Sequence, residues 1–503
     1  MKVNVTVGSV TEVATPLLVV NLFEGSGQPT GATGAVDAGL DGLISKLVTD
    51  KEISGKLNEM TVFHTLGKLP AERVAVIGLG KKDEFTIDRA RQVAGTAARR
   101  AQQLKLGRFA TIAHGGQAGL PPFEAAQAVV EGARLATYRY LRFKTEDQEG
   151  TAPVGEMTIV ENDQGKVPEL EEGAAKGTIL AEATILARDL SNGPGNLVTP
   201  TYLAEQARDV ATRHGLGYEA LGPEEMRRLG MGALLGVAQG STQEPRLIVL
   251  RYNGAQQGAD TLGFVGKGIT FDSGGISIKH GDKMDEMKHD MSGGAAVIGA
   301  MSAIAALKLP VNVLAVIPAT ENLPGGSACK PGDVLTAMNG KTIEVVNTDA
   351  EGRVVLADAL AYAVKEGAAV LVDLATLTGG VIVALGHIAT GAVGNNDKLV
   401  AMLVAAGERT GERLWQLPAW DEYKEANKSD IADVKNSGGR AASTITGALF
   451  LTRFVGDRPW CHLDIAGTAW LDGDRPYSTK GATGIGVRLL TEFAEKWAQN
   501  AAL

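Results

Sequence analysis

The sequence predicts an α/β protein made of a small N-terminal α/β domain, a connecting helix and a larger α/β domain with a mixed central sheet. Three observations predict it. Short β-branched runs alternate with segments of helical period through most of the chain. The alternation lapses between about Thr145 and Leu170, where Glu, Asp, Gly and Pro are dense. A helical stretch from about Pro168 to Leu190 then stops at Asn192-Gly193-Pro194. The expected boundaries are 1–165 for the first domain, 166–190 for the linker helix and 191–503 for the larger domain.

In the first domain, Arg73-Val-Ala-Val-Ile-Gly and Phe109-Ala-Thr-Ile-Ala read as strands and Asp88 to Leu104 as a helix. Gly78-Leu-Gly80-Lys-Lys-Asp83 begins like a dinucleotide fingerprint but lacks the third glycine, so it is read as a strand-to-helix turn. In the larger domain, strands are expected near Arg246 to Tyr252, Val311 to Ile317, Thr342 to Val346 and Ala368 to Leu374, each leading into a motif loop. Lys428 to Lys435 is charged and helix-like, and reads as a solvated or inter-subunit face. No internal repeat or low-complexity tract interrupts this organisation.

Composition narrows the class. At 503 residues the chain exceeds one ordinary domain, and an apolar fraction of 44% supplies sizeable cores. No run approaches the roughly 18 apolar residues of a membrane span. No basic stretch followed by an apolar one opens the chain, since Glu12 interrupts it early, so no secretory leader is expected. Cys329 and Cys461 are the only cysteines, which fits a reducing cytoplasm and excludes a disulfide framework. A net charge of -9 gives no general affinity for nucleic acid or an anionic membrane, and neither partner is expected.

The chemistry concentrates in two segments. Asn347-Thr-Asp-Ala-Glu-Gly-Arg353 sets Asp349 and Glu351 beside Arg353, between the strand-like Gly340 to Val346 and the helix-like Val354 to Lys365. The acidic pair is therefore expected at the carboxyl end of a strand, where open α/β sheets place ligands. Upstream, Val265 to Lys279 and Met287 to Gly294 supply Lys267, Asp272, Lys279 and Asp290. If the segments meet, Asp272, Asp290, Asp349 and Glu351 put four negative charges in one cleft, and their repulsion raises some of their pKa values. Two divalent cations would cancel that charge, and oxygen donors suit magnesium, manganese or zinc. His280 and His289 are not at ligand spacing and no Cys is near, which argues against a structural Cys/His zinc site.

Blander readings fit these residues less well. A surface salt-bridge network would not need glycines and small residues around every acid. Gly266-Lys-Gly268 lacks the Gly-Lys-Ser/Thr ending of a phosphate loop, and Ser273 is outside any Gly-x-Ser-x-Gly, so it reads as a turn residue. His387 and His462 read as satisfied structural histidines.

Gly266-Lys-Gly-Ile-Thr-Phe-Asp-Ser-Gly-Gly, Lys288-His-Asp-Met-Ser-Gly-Gly and Asn347-Thr-Asp-Ala-Glu-Gly-Arg together resemble the motifs of the leucyl (cytosol) aminopeptidases, a family of two-metal exopeptidases. The resemblance extends from about Arg188 to about Leu490 through Asn192 to Pro200, Pro318 to Pro324, Asp373 to Gly379, Lys428 to Asn436 and His462 to Gly467. It implies a hydrolase that removes N-terminal residues by means of a water or hydroxide bridging two metals, chiefly manganese or zinc, with magnesium or cobalt as alternatives. By the same resemblance Asp272 and Glu351 bridge both metals, Lys267 and Asp290 complete one shell and Asp349 the other. Lys279 steadies the tetrahedral intermediate, and Arg353 holds a bicarbonate that relays a proton. A neutral lysine ligand is reasonable because two dications lower its pKa.

Further implications concern substrate and assembly. The first side chain enters an apolar pocket matching Met287, Thr376, Gly379 and Ala466, while Asn347 and Leu377 align the substrate backbone. Ala469 stands where some members carry methionine, so more room and a looser leucine preference are expected, with large uncharged residues such as Leu and Met favoured. Gly484-Ile-Gly-Val departs from an expected Arg-Pro pair and carries no functional conclusion. The resemblance also implies a cytoplasmic homohexamer, a dimer of trimers. Two other function classes fit less well: a two-metal phosphoesterase, which usually needs several His ligands that this chain lacks, and a non-catalytic scaffold, against which the intact site residues speak.

Overall fold

The computed structural model describes residues 1–146 and 153–500. Positions 147–152 of the expected 145–170 boundary, and the last three residues, lie outside them. The chain divides into two compact units, Met1–Glu182 with Gly473–Lys480, and Ala183–Asp472 with Gly481–Leu503. The connecting helix expected over 166–190 runs Val167–Asn192, and the division falls inside it. Among the described residues no helix is long and apolar enough to cross a membrane.

The first unit is built on six strands: β1 (Lys2–Val7), β2 (Leu18–Leu22), β3 (Met60–His64), β4 (Arg73–Gly78), β5 (Arg108–Thr111) and β6 (Glu156–Glu161). They are ordered β1-β6-β5-β2-β4-β3, all parallel except the edge strand β3. Alternation decides the layering: Val19, Ala75 and Ile77 pack on one face against helices Ile87–Gln103 and Pro122–Ala136, while Leu18, Val20, Val74 and Val76 pack on the other. Burial on both faces explains why these strands read as continuous apolar runs. The two helices of the first face approach closely at Gly132, where a Cβ would come within 2.1 Å of the Arg91 carbonyl oxygen. Across that contact Arg91 Nε meets Glu131 Oε2 at 2.6 Å, fully buried, and Gln127 Nε2 donates to Glu131 Oε1.

The second unit adds β7 (Gly217–Leu221), β8 (Arg246–Asn253), β9 (Thr261–Gly266), β10 (Gly268–Asp272), β11 (Asn312–Asn322), β12 (Val334–Thr336), β13 (Thr342–Glu344), β14 (Val370–Ala375), β15 (Thr390–Gly394), β16 (Leu414–Gln416), β17 (Val434–Lys435) and β18 (Trp460–Asp464). Its nine-stranded sheet runs β16-β15-β18-β14-β9-β11-β8-β7, with β10 also on β11. The sheet is mixed: β18, β14, β9, β11 and β10 are parallel, whereas β8 and β15 run against their inner neighbours. Helix Ser292–Ala306 is largely apolar and buried from Ser292 to Ala305, which glycine at 293 and 294 permits by letting its start lie against the sheet.

Two sequence expectations are corrected. The strand expected over Thr342 to Val346 is the short β13, and it belongs to a separate three-stranded sheet, β12-β13-β17. Asp349 and Glu351 therefore follow a strand of that side sheet, not of the central one. Lys428 to Lys435 is not helical. It bends into β17 because its polar side chains bind the neighbouring strand: Ser429 Oγ donates to Glu344 Oε2, and Asp433 Oδ2 accepts from the Thr342 N–H.

Candidate active site

The carboxyl edge of the central sheet gathers the functional residues. Lys267 follows β9, Asp272 ends β10, Asn322 ends β11, Thr376 follows β14 and Asp464 ends β18. Asp290 leads into helix Ser292–Ala306, and Glu351 opens helix Glu351–Lys365, where a carboxylate is favoured by the helix dipole.

Lys267 Nζ lies 2.7 Å from Asp290 Oδ2 and 2.8 Å from Glu351 Oε1, and donates to the Thr376 carbonyl at 3.0 Å. Lys279 Nζ lies 2.7 Å from Asp272 Oδ2 and pairs with Asp349 Oδ1. The structure thus brings Lys267, Asp272, Lys279, Asp290, Asp349 and Glu351 into one network, buried except at Lys279 and Asp349. Glycine is required at its centre: a Cβ on Gly352 would stand 2.7 Å from Lys267 Nζ, and one on Gly293 would stand 2.1 Å from the Leu374 carbonyl oxygen. Gly274, at φ +89°, turns the chain so that its N–H donates to Asp272 Oδ1.

Arg353 sits two residues into the same helix as Glu351, 6% exposed, with its guanidinium against Gly447, where a Cβ would come 3.1 Å from Cζ. Its Nε is buried without a hydrogen-bond partner.

The electrostatics follow from burial and from numbers of charges. Burial alone would lower the Lys267 ammonium, but Asp290, Glu351 and Asp272 outweigh it and hold its pKa above that of an ordinary lysine. Lys279 behaves in the same way, burial being outweighed by Asp272, Glu351 and Asp349. Burial raises Asp290, Asp349 and Glu351, with Asp272 adding repulsion to each. Burial lowers Arg353. Two ammonium groups thus face four carboxylates, leaving negative charge in a buried place.

That arrangement fits divalent cations. Oxygens of Asp272, Asp290 and Glu351 lie within 4.8 Å of one another. Asp290 Oδ2 is buried without a hydrogen bond although Lys267 Nζ is 2.7 Å away. The donors are hard oxygens, as magnesium, manganese or zinc accept.

Of the remaining expected residues, Thr376 joins this network. Thr376 Oγ1 donates to Asp290 Oδ1 at 2.6 Å. Met287, Leu377 and Ala466 are half-buried and Gly379 is exposed, whereas Ala469 is only 1% exposed. Asn347 and Leu377 spend polar groups inside the protein: Asn347 Oδ1 accepts from the Asp349 N–H at 2.9 Å, and the Leu377 N–H donates to Asp464 Oδ1 at 3.1 Å. His387 Nδ1 meets the Gly467 carbonyl at 2.8 Å. His462 Nδ1 meets Asp373 Oδ1 at 2.6 Å, but its Nε2 is buried without a hydrogen-bond partner, so the satisfied reading holds at one nitrogen only.

Sequence reasoning gave no role to Asn322 or Asn436. Asn322 Nδ2 donates to Asp272 Oδ1 at 2.8 Å and to the Thr348 carbonyl at 3.0 Å, and lies 3.3 Å from Glu351 Oε2, tying both motif segments together. Asn436 accepts from the Val346 N–H and donates to the Asn347 carbonyl, fixing the loop that carries Asp349. The available signal was a polar Glu321-Asn322 pair closing an otherwise apolar buried strand.

Sequence profiles of the "Cytosol aminopeptidase family, catalytic domain" and "N-terminal domain" match residues 185–491 and 19–147 respectively. The chain belongs to the cytosol aminopeptidase family. It is similar to a protein described as "Probable cytosol aminopeptidase" from Geobacter sp. (strain M21), 48% identical over 99% of this chain and all of that one. A counterpart of the same description from Alkaliphilus oremlandii (strain OhILAs) is 46% identical over 97% and 98% of the two chains. Among solved structures, a mutant of tomato leucine aminopeptidase superposes with a TM-score of 0.88 at 33% identity, covering 99% of this chain and 96% of that one. A bottromycin maturation enzyme in complex with Mn gives 0.85 at 33% identity, over 96% and 100%. This member of the cytosol aminopeptidase family is therefore a hydrolase, a metal-dependent exopeptidase acting at peptide N-termini.

Proposed function

We propose that this aminopeptidase cleaves the N-terminal bond of peptides with a free amine, prefers large uncharged first residues such as Leu and Met, and uses two divalent ions held by Lys267, Asp272, Asp290, Asp349 and Glu351. The observation that carries it is the network of two lysines paired with four carboxylates. Manganese is favoured by the Mn complex of the bottromycin maturation enzyme, and zinc is the alternative. When bound, the ions supply a water acidified toward neutral pH as nucleophile and offset the carboxylate charge.

The chain's own residues do the rest. Lys267 would have to give up its proton to hold an ion, which would couple ion uptake to proton release. Lys279, at 23% side-chain exposure the most accessible cation of the network after the acids are paired, faces the substrate carbonyl and stabilises the charge that develops on its oxygen. Thr376, buried like Asp290, holds that carboxylate in place through a hydrogen bond of 2.6 Å. Arg353, whose buried Nε has no hydrogen-bond partner, would hold a bicarbonate, which would supply a proton relay beside the nucleophile.

A panel of aminoacyl chromogenic amides tests substrate choice. Leucyl and methionyl amides are expected to be cleaved much faster than aspartyl ones, because burying such a side chain offers roughly 1.5–3 kcal/mol while an unpaired carboxylate bears its desolvation cost alone. N-acetylated substrates should not react. Ranking of aspartyl or arginyl substrates first would overturn the apolar pocket and the alignment of Ala469.

A cytoplasmic homohexamer is proposed as the working form, with both cysteines buried and unbridged. Val383, Ile388, Trp415 and Trp420 of the larger unit are each more than half exposed, an apolar surface that assembly would cover. Light scattering should give about six times the 52.4 kDa chain mass, and a monomer would contradict it.

A further inference from the structure

Asp464 ends β18 and is fully buried. Its neighbour in the sheet is β14, with Ala375 opposite Asp464, and the Ile465 N–H donates to the Ala375 carbonyl at 2.8 Å. The two strands thus end together at the carboxyl edge of the sheet. Each continues into a segment assigned above to the substrate, with Leu377 and Gly379 after β14 and Ala466 after β18. The segments also meet further along, where His387 Nδ1 is 2.8 Å from the Gly467 carbonyl oxygen and a Cβ on Gly467 would stand 2.3 Å from that of Gly386.

One carboxylate ties the two segments together. Asp464 Oδ1 accepts from the Leu377 N–H at 3.1 Å, the Ala466 N–H at 3.2 Å and the Thr378 N–H at 3.4 Å. Thr378 Oγ1 donates to Asp464 Oδ2 at 2.6 Å. The same hydroxyl accepts from the Val381 N–H at 3.2 Å and so caps helix Gly379–Leu385. Its one proton is spent on the carboxylate, so the Thr444 hydroxyl, 2.9 Å away, donates to it. From the other side, the Thr376 carbonyl accepts from Lys267 and the Thr376 hydroxyl donates to Asp290. Leu377 to Gly379 is therefore held between the carboxylate network and Asp464.

A carboxylate suits this junction better than any other side chain. Three N–H groups and one O–H converge on it, whereas an amide offers one oxygen and would turn an NH2 donor toward Thr378. Burial pushes the Asp464 pKa up, and His462 together with these donors acts against that rise. A buried aspartate that satisfies loop amides is common. This one differs in that all its donors lie on the two segments assigned to the substrate.

We propose that Asp464 is a positioning residue for specificity, which fixes the Leu377–Gly379 segment against the Ala466 turn and so gives a large first side chain a closely packed fit. The inference rests on the pocket assignment of Gly379 and Ala466 made above. Loosening the wall costs a leucyl side chain many contacts, whereas an alanyl side chain has few to lose.

Steady-state kinetics of the manganese-loaded protein on leucyl and alanyl chromogenic amides tests this. Asp464→Asn is expected to keep its metal content, to lower kcat/KM for the leucyl amide by about 10–10²-fold and to lower it for the alanyl amide by no more than about threefold. The leucyl-to-alanyl ratio therefore falls, which a smaller fraction of folded enzyme would not cause. Thr378→Val keeps the side-chain shape without the hydroxyl and should lower the ratio as well, while Thr378→Ser should leave it at the wild-type value. An unchanged ratio in Asp464→Asn, whether from equal losses or from none, would make Asp464 a structural residue only and overturn the proposal. If that variant does not fold, an unchanged ratio in Thr378→Val overturns it instead. Gly379→Leu separates this from the pocket assignment. A Cβ at 379 meets nothing within 4 Å, so the fold accepts the side chain, which would fill the pocket and lower leucyl hydrolysis at least about tenfold. Unchanged leucyl hydrolysis there would overturn the pocket assignment and this inference with it. A loss there beside an unchanged ratio in Asp464→Asn would overturn only the role given to Asp464.

Discussion

Glu351→Ala is expected to lose bound metal and to reduce kcat/KM for a leucyl amide by at least about 10³-fold, and to lose more of each than Asp349→Ala. The difference comes from position. Glu351 is 3% exposed, contacts Lys267 and lies within reach of the Asn322 amide that also holds Asp272, so it stands in the middle of the carboxylate group. Asp349, a third exposed in its side chain, reaches the network through Lys279. As a ligand shared by both ions, Glu351 would weaken both when removed; Asp349 would weaken one. Metal content by mass spectrometry beside steady-state kinetics measures this, with circular dichroism to verify folding. Full metal content in Glu351→Ala with depleted metal in Asp349→Ala would reverse the assignment.

Lys279→Ala should retain its metal and its KM while kcat falls by on the order of 10²–10³, the loss that follows removal of an oxyanion donor. The ammonium is held by Asp272 and Asp349 at the exposed end of the network, fixed but not enclosed. Arg353→Ala should have a smaller deficit, partly restored by added bicarbonate, since water or another anion can replace a displaced relay. Metal loss in Lys279→Ala would show that its ammonium holds the carboxylates together instead of acting on substrate.

Much of this arrangement was legible in the sequence because charge at a strand end followed by glycine is a pattern that core packing does not produce. Lys267, Asp272 and Asp290 could be read as one cluster since a glycine follows each within three residues, Gly268, Gly274 and Gly293, where a Cβ would run into a neighbouring backbone. The side sheet was not legible. Thr342 to Val346 has the composition of a central strand, and only long-range pairing with Val434–Lys435 sends it elsewhere. Lys428 to Lys435 was misread for a related reason: its charges repeat at helical spacing, but Ser429 and Asp433 bind a strand about 90 residues earlier in the chain, and those bonds override local propensity. Asn322 and Asn436 escaped because an amide that positions other ligands carries no charge signal of its own.

The central claim is that hydrolysis depends on divalent ions bound within the carboxylate network. The most direct measurement is leucyl amide hydrolysis by protein stripped with a chelator, verified as metal-free by mass spectrometry, and then titrated with manganese, zinc or cobalt. The stripped protein should be inactive, and activity should return in step with ion uptake, approaching two ions per chain. Full activity in the verified metal-free sample would contradict the account.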